Sequence, residues 1–136
     1  MEKIDCIFCK IVKGEIPAVK IFENEKHFAF LDMNPINSGH TLLIPKKHIE
    51  YLFDLNDNEY SELMLKAKHL AKLLKNKLAP KRIGVIIEGF LIPHIHIHLV
   101  PINKGANLSF ANAKPANLEE LKKIAEKIRE TKKWQT

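Results

Sequence analysis

The segment Pro93-His94-Ile95-His96-Ile97-His98-Leu99-Val100 carries the strongest structural signal in this sequence. Histidine and apolar residues alternate along it, and this pattern predicts a β-strand because successive side chains of a strand point to opposite faces. His94, His96 and His98 are then expected to share one face, with ~6.6–6.8 Å between alternate residues. The opposite face is expected to carry the apolar residues between them, which are Ile95, Ile97 and Leu99.

Three interpretations of this histidine row remain open. The first is a half-exposed strand whose polar positions happen to be histidine. The second is a zinc hydrolase site, since two imidazoles two residues apart can reach one zinc ion, although a third ligand and a carboxylate base are also needed and Glu88 is the only acid nearby. The third is nucleophilic catalysis, in which one imidazole attacks phosphorus while its neighbours stabilise the phosphoryl oxygens. Only the third interpretation uses all three histidines.

Four further segments upstream of the histidine row have the composition of short strands. They are rich in β-branched, aromatic and other apolar residues and are bounded by polar or glycine-containing stretches. Together with His94–Val100 they predict a five-stranded sheet; the four segments are Ala18–Phe22, His27–Leu31, Thr41–Pro45 and Ile83–Glu88.

Three helices are predicted around these strands. Asn56 and Glu59 have the spacing of a capping box, and the helix that they begin should run until Pro80. It is expected to bury an apolar stripe made of Tyr60, Leu63, Ala67, Leu70, Ala71, Leu74 and Leu78. A second capped helix is expected after Pro115, with Asn117 and Glu120 as its cap pair and Leu121, Ile124, Ala125 and Ile128 as its apolar edge. A short helix from Ile7 to Val12 should precede the first strand.

The order of these elements predicts the fold class. The strands cluster around one long helix without regular alternation of strand and helix, so we expect an α+β fold with a mainly antiparallel sheet. Residues 1–136 are expected to form one domain, because ~100–200 residues usually do. The stretch Asn103–Pro115, which follows the histidine row, is predicted to be a mobile loop.

Net charge is distributed unevenly. The 136 residues carry a formal charge of +6, and residues 63–87 contain seven basic and no acidic side chains. A basic helix face can bind nucleic acid or can simply be solvated. Because no aromatic stacking residues or recognised nucleic-acid motif accompany it, the solvated face is favoured and nucleic acid is not expected as a partner.

Targeting signals are not evident. Met1-Glu2-Lys3-Ile4-Asp5 places acids where a signal peptide needs positive charge and an apolar stretch. The uncharged segment 90–103 contains two prolines and three histidines, so it does not resemble a membrane span of ~20 apolar residues. We therefore expect a cytoplasmic protein without membrane contact, in a reducing compartment.

The two cysteines, Cys6 and Cys9, are spaced as Cys-x-x-Cys. In a reducing compartment this spacing suggests zinc binding or redox chemistry rather than a structural disulfide. Zinc needs two further ligands, while a thioredoxin-type redox site needs a βαβ context that is absent here. Zinc is favoured, and packed thiols or a redox pair remain as alternatives.

Four ordered blocks together resemble the histidine triad (HIT) family, in particular its Hint-like branch. His94-Ile95-His96-Ile97-His98-Leu99-Val100 fits the family signature, in which three histidines alternate with apolar residues. The other blocks precede it in the chain. They are Cys6-Ile7-Phe8-Cys9-Lys10-Ile11-Val12 with Gly14-Glu15-Ile16-Pro17, then Ala29-Phe30-Leu31-Asp32-Met33-Asn34-Pro35, and then Gly39-His40-Thr41-Leu42-Leu43-Ile44-Pro45-Lys46-Lys47-His48.

The resemblance implies an enzyme that cleaves purine nucleotide phosphoramidates at the α-phosphorus through a nucleotidyl-histidine intermediate and without a catalytic metal. By resemblance, His96 is the nucleophile, His98 contacts the phosphate, His94 supports the hydrogen-bond network and His40 is the fourth histidine behind them. A dinucleoside polyphosphate hydrolase, or a nucleotide-binding protein with weak or no turnover, are the alternatives.

The resemblance also implies binding residues, a metal site and an oligomeric state. Asp32 would hold the ribose hydroxyls, and Phe8, Phe30, Met33 and Ile44 would line the base pocket, unless these four apolar residues are plain core. A structural zinc ion would be held by Cys6, Cys9 and His48, with His94 as the fourth ligand. Relatives of this type form symmetric homodimers.

One segment departs from the family pattern. Before the first triad histidine the family usually has a glycine-rich loop and then Gly-Gln-Ser/Thr, whose side chains contact the phosphate. Here the shorter segment Ile87–His94 has Phe90 and Leu91 in place of the glutamine and the hydroxyl. We expect the same chemistry with weakened or shifted substrate handling. The remaining histidines, His27 and His69, are expected to lie on the surface.

Overall fold

The computed structural model describes residues 5–105 and 108–129. Residues 1–4, on which the targeting prediction partly depends, and Asn107 of the predicted loop lie outside this part of the chain. Two 3₁₀ turns, Leu52–Asp54 and Phe110–Asn112, accompany the helices and strands. These are α1 (Ile7–Val12), β1 (Lys20–Glu23), β2 (His27–Leu31), β3 (Thr41–Pro45), α2 (Asp57–Leu78), β4 (Arg82–Ile87), β5 (Ile97–Ile102) and α3 (Leu118–Ile128).

The five strands form one sheet in the order β1-β2-β3-β5-β4, and every neighbouring pair is antiparallel. The predicted α+β class with an antiparallel sheet is therefore confirmed. β5 lies between β3 and β4, so the strand that carries His98 is hydrogen-bonded on both sides. β1 and β4 form the two edges of the sheet.

The long helix α2 begins and ends as the sequence predicts. The Asn56 side chain accepts a hydrogen bond from the Glu59 backbone N–H at 2.8 Å, and the Glu59 carboxylate accepts one from the Asn56 N–H at 3.3 Å. The helix ends at Ala79, which has a left-handed conformation with φ 55°, immediately before Pro80. Within the described residues, no helix is long and apolar enough to cross a membrane.

The sheet has an apolar core on each face. Ala29 and Leu31 of β2 face α2, whose buried residues are Leu63, Ala67, Leu70 and Leu74. Phe28 and Phe30 point to the opposite face, where α1 packs with Cys6, Phe8, Cys9 and Ile11 against Leu42 and Ile44. The short helix α1 thus covers one part of the face on which the triad histidines lie.

The histidine segment enters the sheet later than predicted. β5 begins at Ile97, so the predicted strand His94–Val100 was wrong for its first three residues. The His94 N–H donates to the Ile92 carbonyl at 2.8 Å, which makes a tight turn centred on Pro93, and the Ile95 N–H donates to the Ile49 carbonyl instead of a neighbouring strand. The alternation of faces nevertheless continues through the turn, because Ile95 lies in the same core as Ile97 and Leu99.

The prediction of a surface position was wrong for His27, whereas His69 is exposed on α2 as expected. His27 is the first residue of β2, all five residues of which are buried. Burial, and to a smaller degree the charge of Lys66, lowers the pKa of His27. Its Nδ1 atom is buried without a hydrogen-bond partner.

Replacing Asn56 with alanine should destabilise the fold, because the substitution removes the side-chain oxygen that accepts from the Glu59 N–H, while the bond from the backbone N–H of residue 56 to the Glu59 carboxylate can remain. We expect the free energy of unfolding to fall by ~1 kcal/mol, the usual cost of losing an N-cap side chain. Urea denaturation followed by circular dichroism measures this change. Asn58→Ala is the matched control, since Asn58 is exposed within the first turn of α2. Equal effects of the two substitutions would contradict the assignment.

Candidate functional site

Four histidines and one aspartate lie together on the face of the sheet that α1 partly covers. His98 is paired with Leu42 of β3 on one side and with Ile86 of β4 on the other. Asp32 directly follows β2 and His40 directly precedes β3, and the Asp32 N–H donates to the His40 carbonyl at 2.9 Å. The sequence places these residues far apart, and the antiparallel pairing of β2, β3 and β5 brings them together.

The tautomer of His96 follows from its hydrogen bond. Its Nδ1 atom lies 2.7 Å from the backbone carbonyl oxygen of His94. A carbonyl oxygen only accepts, so Nδ1 carries the hydrogen and Nε2 keeps a free lone pair. His96 is mostly buried, and its ring packs against that of Phe8 with centroids 5.0 Å apart. The imidazole is therefore oriented with a nucleophilic nitrogen available.

A directed chain of hydrogen bonds leads to His98. The Ile36 backbone N–H donates to Nδ1 of His40 at 2.9 Å, so in the neutral ring the hydrogen of His40 is on Nε2. This Nε2–H lies 2.9 Å from Nδ1 of His98 and donates to it. The hydrogen of His98 is then on its own Nε2. The hydrogen-bond chain thus ends in an N–H donor on His98, whose ring centroid lies 5.0 Å from that of His96.

Both rings of this chain are neutral at neutral pH. The pKa of His98 is lowered to about 3, mainly by burial and then by the nearby His96 and His40. Burial also lowers the pKa of His40, against the opposing charge of Asp32. A neutral ring has only one N–H, so the tautomers assigned above are the ones that operate.

Asp32 lies beside these histidines, and one of its two carboxylate oxygens already accepts a hydrogen bond. Oδ1 accepts a hydrogen bond from the Asn34 N–H at 2.8 Å, and Oδ2 lies 3.5 Å from Nε2 of His40. Ligand atoms of Asp32, His40 and His98 are all within 4.8 Å of one another, as a metal site requires. The hydrogen on His40 Nε2 nevertheless occupies the position where a metal would need a lone pair. This trio therefore fits a polar substrate group better than a metal ion.

A second cluster joins the amino-terminal helix to the histidine segment. Nδ1 of His94 lies 3.4 Å from Sγ of Cys6 and 3.2 Å from Nδ1 of His48, and Sγ of Cys9 lies 3.3 Å from Nδ1 of His48. Tetrahedral zinc with Zn–S of ~2.3 Å and Zn–N of ~2.0–2.1 Å requires ligand atoms ~3.3–3.8 Å apart. These four residues could therefore hold one metal ion, and the two cysteines are not joined by a disulfide.

His94 is suited to metal binding by its other contacts. Its Nε2–H donates to the Pro45 carbonyl at 2.8 Å, which leaves Nδ1 without a hydrogen and directed at the cysteines. Burial lowers the pKa of His94 to about 4, so Nδ1 keeps its lone pair at neutral pH. A hydrogen bond from the non-ligating nitrogen to a backbone carbonyl is the usual way in which a metal-binding imidazole is oriented.

The apolar residues that the family resemblance places in a base pocket have different environments. Phe8, Phe30 and Ile44 are buried in the core beneath α1, and the rings of Phe8 and Phe30 are 5.8 Å apart. Met33, in the loop after Asp32, is 48% exposed. A base bound next to Asp32 would meet Met33 first.

Phe90 and Leu91, which replace the phosphate-contacting residues of the family pattern, are 86% and 93% exposed. Their loop begins at Gly89, whose φ of 85° is in the left-handed region that favours glycine. Side chains so fully open to solvent do not cover the histidines. The loop therefore supplies no side-chain substitute for the missing glutamine and hydroxyl.

One aromatic residue at the site was not anticipated from the sequence. The ring of Phe110 packs edge-to-face on His98, with centroids 5.0 Å apart. The sequence offers a weak signal for it, since Phe110 is the single aromatic residue of the stretch Asn103–Pro115.

Comparison with known proteins gives a consistent result. The family model described as HIT domain matches residues 13–105. An uncharacterized HIT-like protein of Methanocaldococcus jannaschii is 38% identical over 125 residues, covering 87% of this chain and 96% of that protein. An adenosine 5'-monophosphoramidase of Candida albicans is 35% identical over 137 residues, covering 92% of this chain and 90% of that protein.

Solved structures agree with these sequence matches. A Hit-like protein from Bartonella henselae superposes with a TM-score of 0.82 at 28% identity, covering 96% of this chain and 98% of that chain. A Zn-bound histidine triad family protein from Mycobacterium smegmatis superposes with a TM-score of 0.79 at 28% identity, covering 93% and 92%. On the family match, the sequence identity and the shared fold, the chain belongs to the HIT family.

Proposed function

We propose that this protein is a nucleotide hydrolase or nucleotidyl transferase that acts at the α-phosphorus of a purine nucleotide phosphoramidate, with His96 as the nucleophile. The proposal rests on two neighbouring histidines whose Nε2 atoms have opposite roles. His96 Nε2 carries a lone pair that can attack, and His98 Nε2 carries a hydrogen that it can donate. Relatives named adenosine 5'-monophosphoramidase in two yeasts support the substrate class.

The reaction proceeds in two displacements. Nε2 of His96 attacks the α-phosphorus and the phosphorus–nitrogen bond of the substrate breaks, so that the amine leaves with a proton from solvent. The ring becomes a nucleotidyl-imidazolium whose Nδ1–H is held by the His94 carbonyl. Water then adds to phosphorus, the bond to Nε2 breaks, and the nucleoside monophosphate is released as the water gives up a proton.

His98 stabilises the transition state of both displacements. Its Nε2–H donates to a phosphoryl oxygen as negative charge develops there, and a donor of this kind is worth ~2.7–4 kcal/mol. His40 holds His98 in the donating tautomer through the 2.9 Å bond to Nδ1. Oδ2 of Asp32, which the Asn34 N–H leaves free, accepts from a ribose hydroxyl. Met33 contacts the base, and the buried Phe8, Phe30 and Ile44 form the apolar core of the pocket behind it.

We further propose that Cys6, Cys9, His48 and His94 bind a structural zinc ion. The ligand spacing and the orientation of His94 fit tetrahedral zinc, and the relative from Mycobacterium smegmatis is described as Zn-bound. Zinc at this site would cross-link α1 to the segment that precedes β5. Thiol ligands also suit the reducing cytoplasm, where we place the protein.

A symmetric homodimer is the proposed assembly. β4 is an edge of the sheet, and its outward-facing Val85 is 49% exposed. An open edge with apolar side chains pairs readily with another strand. Pairing of β4 with β4 of a second copy would join the two sheets across a two-fold axis.

An alternative function is nucleotide binding with little turnover. Residues 88–92 contain no amide or hydroxyl side chain, and the exposed Phe90 and Leu91 give no contact to a phosphate. Tight binding of adenosine monophosphate together with no hydrolysis of adenosine 5'-phosphoramidate would favour this alternative. Faster turnover of a diadenosine polyphosphate than of a phosphoramidate would favour a dinucleoside polyphosphate hydrolase.

Incubation with adenosine 5'-phosphoramidate should label His96. We expect intact-protein mass spectrometry after quenching in denaturant at alkaline pH, where the phosphorus–nitrogen bond is stable, to show an adenylyl adduct, and peptide mapping to place it on His96. His96→Ala should lose the adduct and at least ~1,000-fold in kcat, because the nucleophile itself is removed. His69→Ala, on the exposed face of α2, is the control and should retain both. Absence of turnover and of any adduct in the wild type would reject the enzyme proposal.

Metal analysis of protein purified without chelator should give one zinc ion per chain. Cys9→Ser should reduce the zinc content and the stability, since the loss of a thiolate ligand weakens binding. At free zinc 100-fold above the dissociation constant, binding contributes ~2.7 kcal/mol to the free energy of unfolding. Readdition of zinc should restore the melting temperature of chelator-treated wild type but not that of the variant. Well under one zinc per chain would contradict the proposal.

Light scattering coupled to size exclusion should give twice the chain mass of 15.6 kDa for the wild type. Val85→Lys should shift the protein to the monomer, because a lysine on an edge strand opposes pairing with another strand. Leu65→Lys is the control, since Leu65 is also half exposed but lies on α2. A monomeric wild type, or a dimer that tolerates Val85→Lys, would rule out pairing through β4.

A further inference from the structure

We infer that Phe110 is a specificity-determining residue whose ring receives the leaving group of the substrate and favours amines with an aromatic or apolar part. The inference rests on the proposed function and adds the class of leaving group to it.

Three rings surround His98 in the described part of the chain. His96 lies 5.0 Å away between centroids, His40 lies 5.2 Å away and Phe110 lies 5.0 Å away. His40 occupies the Nδ1 side through its hydrogen bond. Phe110 is the only one of the three without a polar group, and it is 46% exposed. Part of an apolar ring is therefore open to solvent beside the proposed phosphate donor.

The segment 108–116 holds Phe110 in this position from both ends. Leu108 packs over Gly84 of β4 so closely that a Cβ on Gly84 would lie 2.7 Å from both of its terminal carbons. At the other end, the Ala116 N–H donates to the Met33 carbonyl at 2.9 Å. Between them, Oγ of Ser109 accepts from the Ala111 N–H and caps the turn that carries Phe110. The ring is thus placed by the fold and not by its contact with His98 alone.

The geometry of displacement at phosphorus places the leaving group on the side of the site where Phe110 lies. The attacking and leaving atoms are roughly in line across the phosphorus. Nε2 of His96 attacks, so the leaving group departs in the direction away from His96. Phe8 packs on His96, whereas Phe110 packs on His98, the next ring of the row. A phosphorus held between the two histidines therefore directs its leaving group away from Phe8 and toward Phe110.

The chemistry of the segment indicates what kind of leaving group fits. Residues 108–113 carry no charged side chain, so an ionic leaving group would find no partner there. An aromatic amine would instead gain a ring contact with Phe110, and aromatic pairs stabilise by more than the burial of their area. The expected preference is about tenfold in kcat/KM.

The test compares two substrates of the same nucleotide. Adenosine 5'-phosphoramidate releases ammonia, and its N-(2-phenylethyl) derivative releases an aromatic amine. We expect the wild type to prefer the phenylethyl substrate about tenfold in kcat/KM. Phe110→Ala should reduce the ratio of the two kcat/KM values to near one, and Phe110→Tyr should keep it. Leu65→Ala, an exposed apolar residue of α2, is the control for a change of surface.

The ratio of the two kcat/KM values distinguishes a role of Phe110 in substrate specificity from a purely structural role. A purely structural role of Phe110 beneath His98 would lower both kcat/KM values equally and leave the ratio unchanged, which would overturn the inference. A wild type without preference for the phenylethyl substrate would overturn it as well.

Binding measurements test the role of Phe110 without requiring that the protein turn over a substrate. Calorimetric titration of His96→Ala and of His96→Ala/Phe110→Ala with both phosphoramidates gives dissociation constants without reaction. Tighter binding of the phenylethyl compound that is lost in the double variant supports the inference even if the wild type forms no product. Equal binding of the two compounds to both variants overturns it, whereas absence of the His96 adduct in the wild type bears only on the proposed function.

Discussion

The hydrogen bond from His96 Nδ1 to the His94 carbonyl is the contact on which the site depends. It fixes the free lone pair on Nε2, and its geometry is set by the turn that precedes β5. His94 is itself held at both ring nitrogens, by the Pro45 carbonyl and by the group of Cys6, Cys9 and His48. One residue therefore connects the orientation of the nucleophile to the packing of α1 and to the metal-binding cluster.

The donor direction of the hydrogen bonds from His40 to His98 is set by a backbone N–H group. The Ile36 N–H can only donate, so every subsequent hydrogen in the chain from His40 to His98 has one possible position. Burial prevents the rings from gaining a second proton that would reverse this order, because it lowers the pKa values of both His40 and His98. The two neutral rings thus end in an N–H donor on His98, whose ring centroid lies 5.0 Å from that of His96.

Local signals predicted the elements, but long-range contacts decided the details of the site. The capping box of Asn56 and Glu59 depends on residues three apart, and it defined the start of α2 without knowledge of the fold. The entry of β5 depends instead on Ile49 and Ile92, whose bonds with the His94–Ile95 segment cannot be seen in an alternating pattern. The burial of His27 likewise results from the packing of α2 over β2. Phe110 reaches His98 only because Leu108 and Ala116 fix the segment between them.

The positive charge of the chain and its proposed chemistry lie on different sides of the sheet. Lys68, Lys72 and Lys75 project from the exposed face of α2, which packs on the side opposite the histidines. The helix alone is ~10 Å across, and charges are screened over ~8 Å at physiological ionic strength. These lysines therefore raise the local concentration of anions weakly and cannot neutralise a bound phosphate. Recognition of the phosphate must come from N–H donors in the site, which explains why the tautomers of His40 and His98 matter more than the net charge of +6.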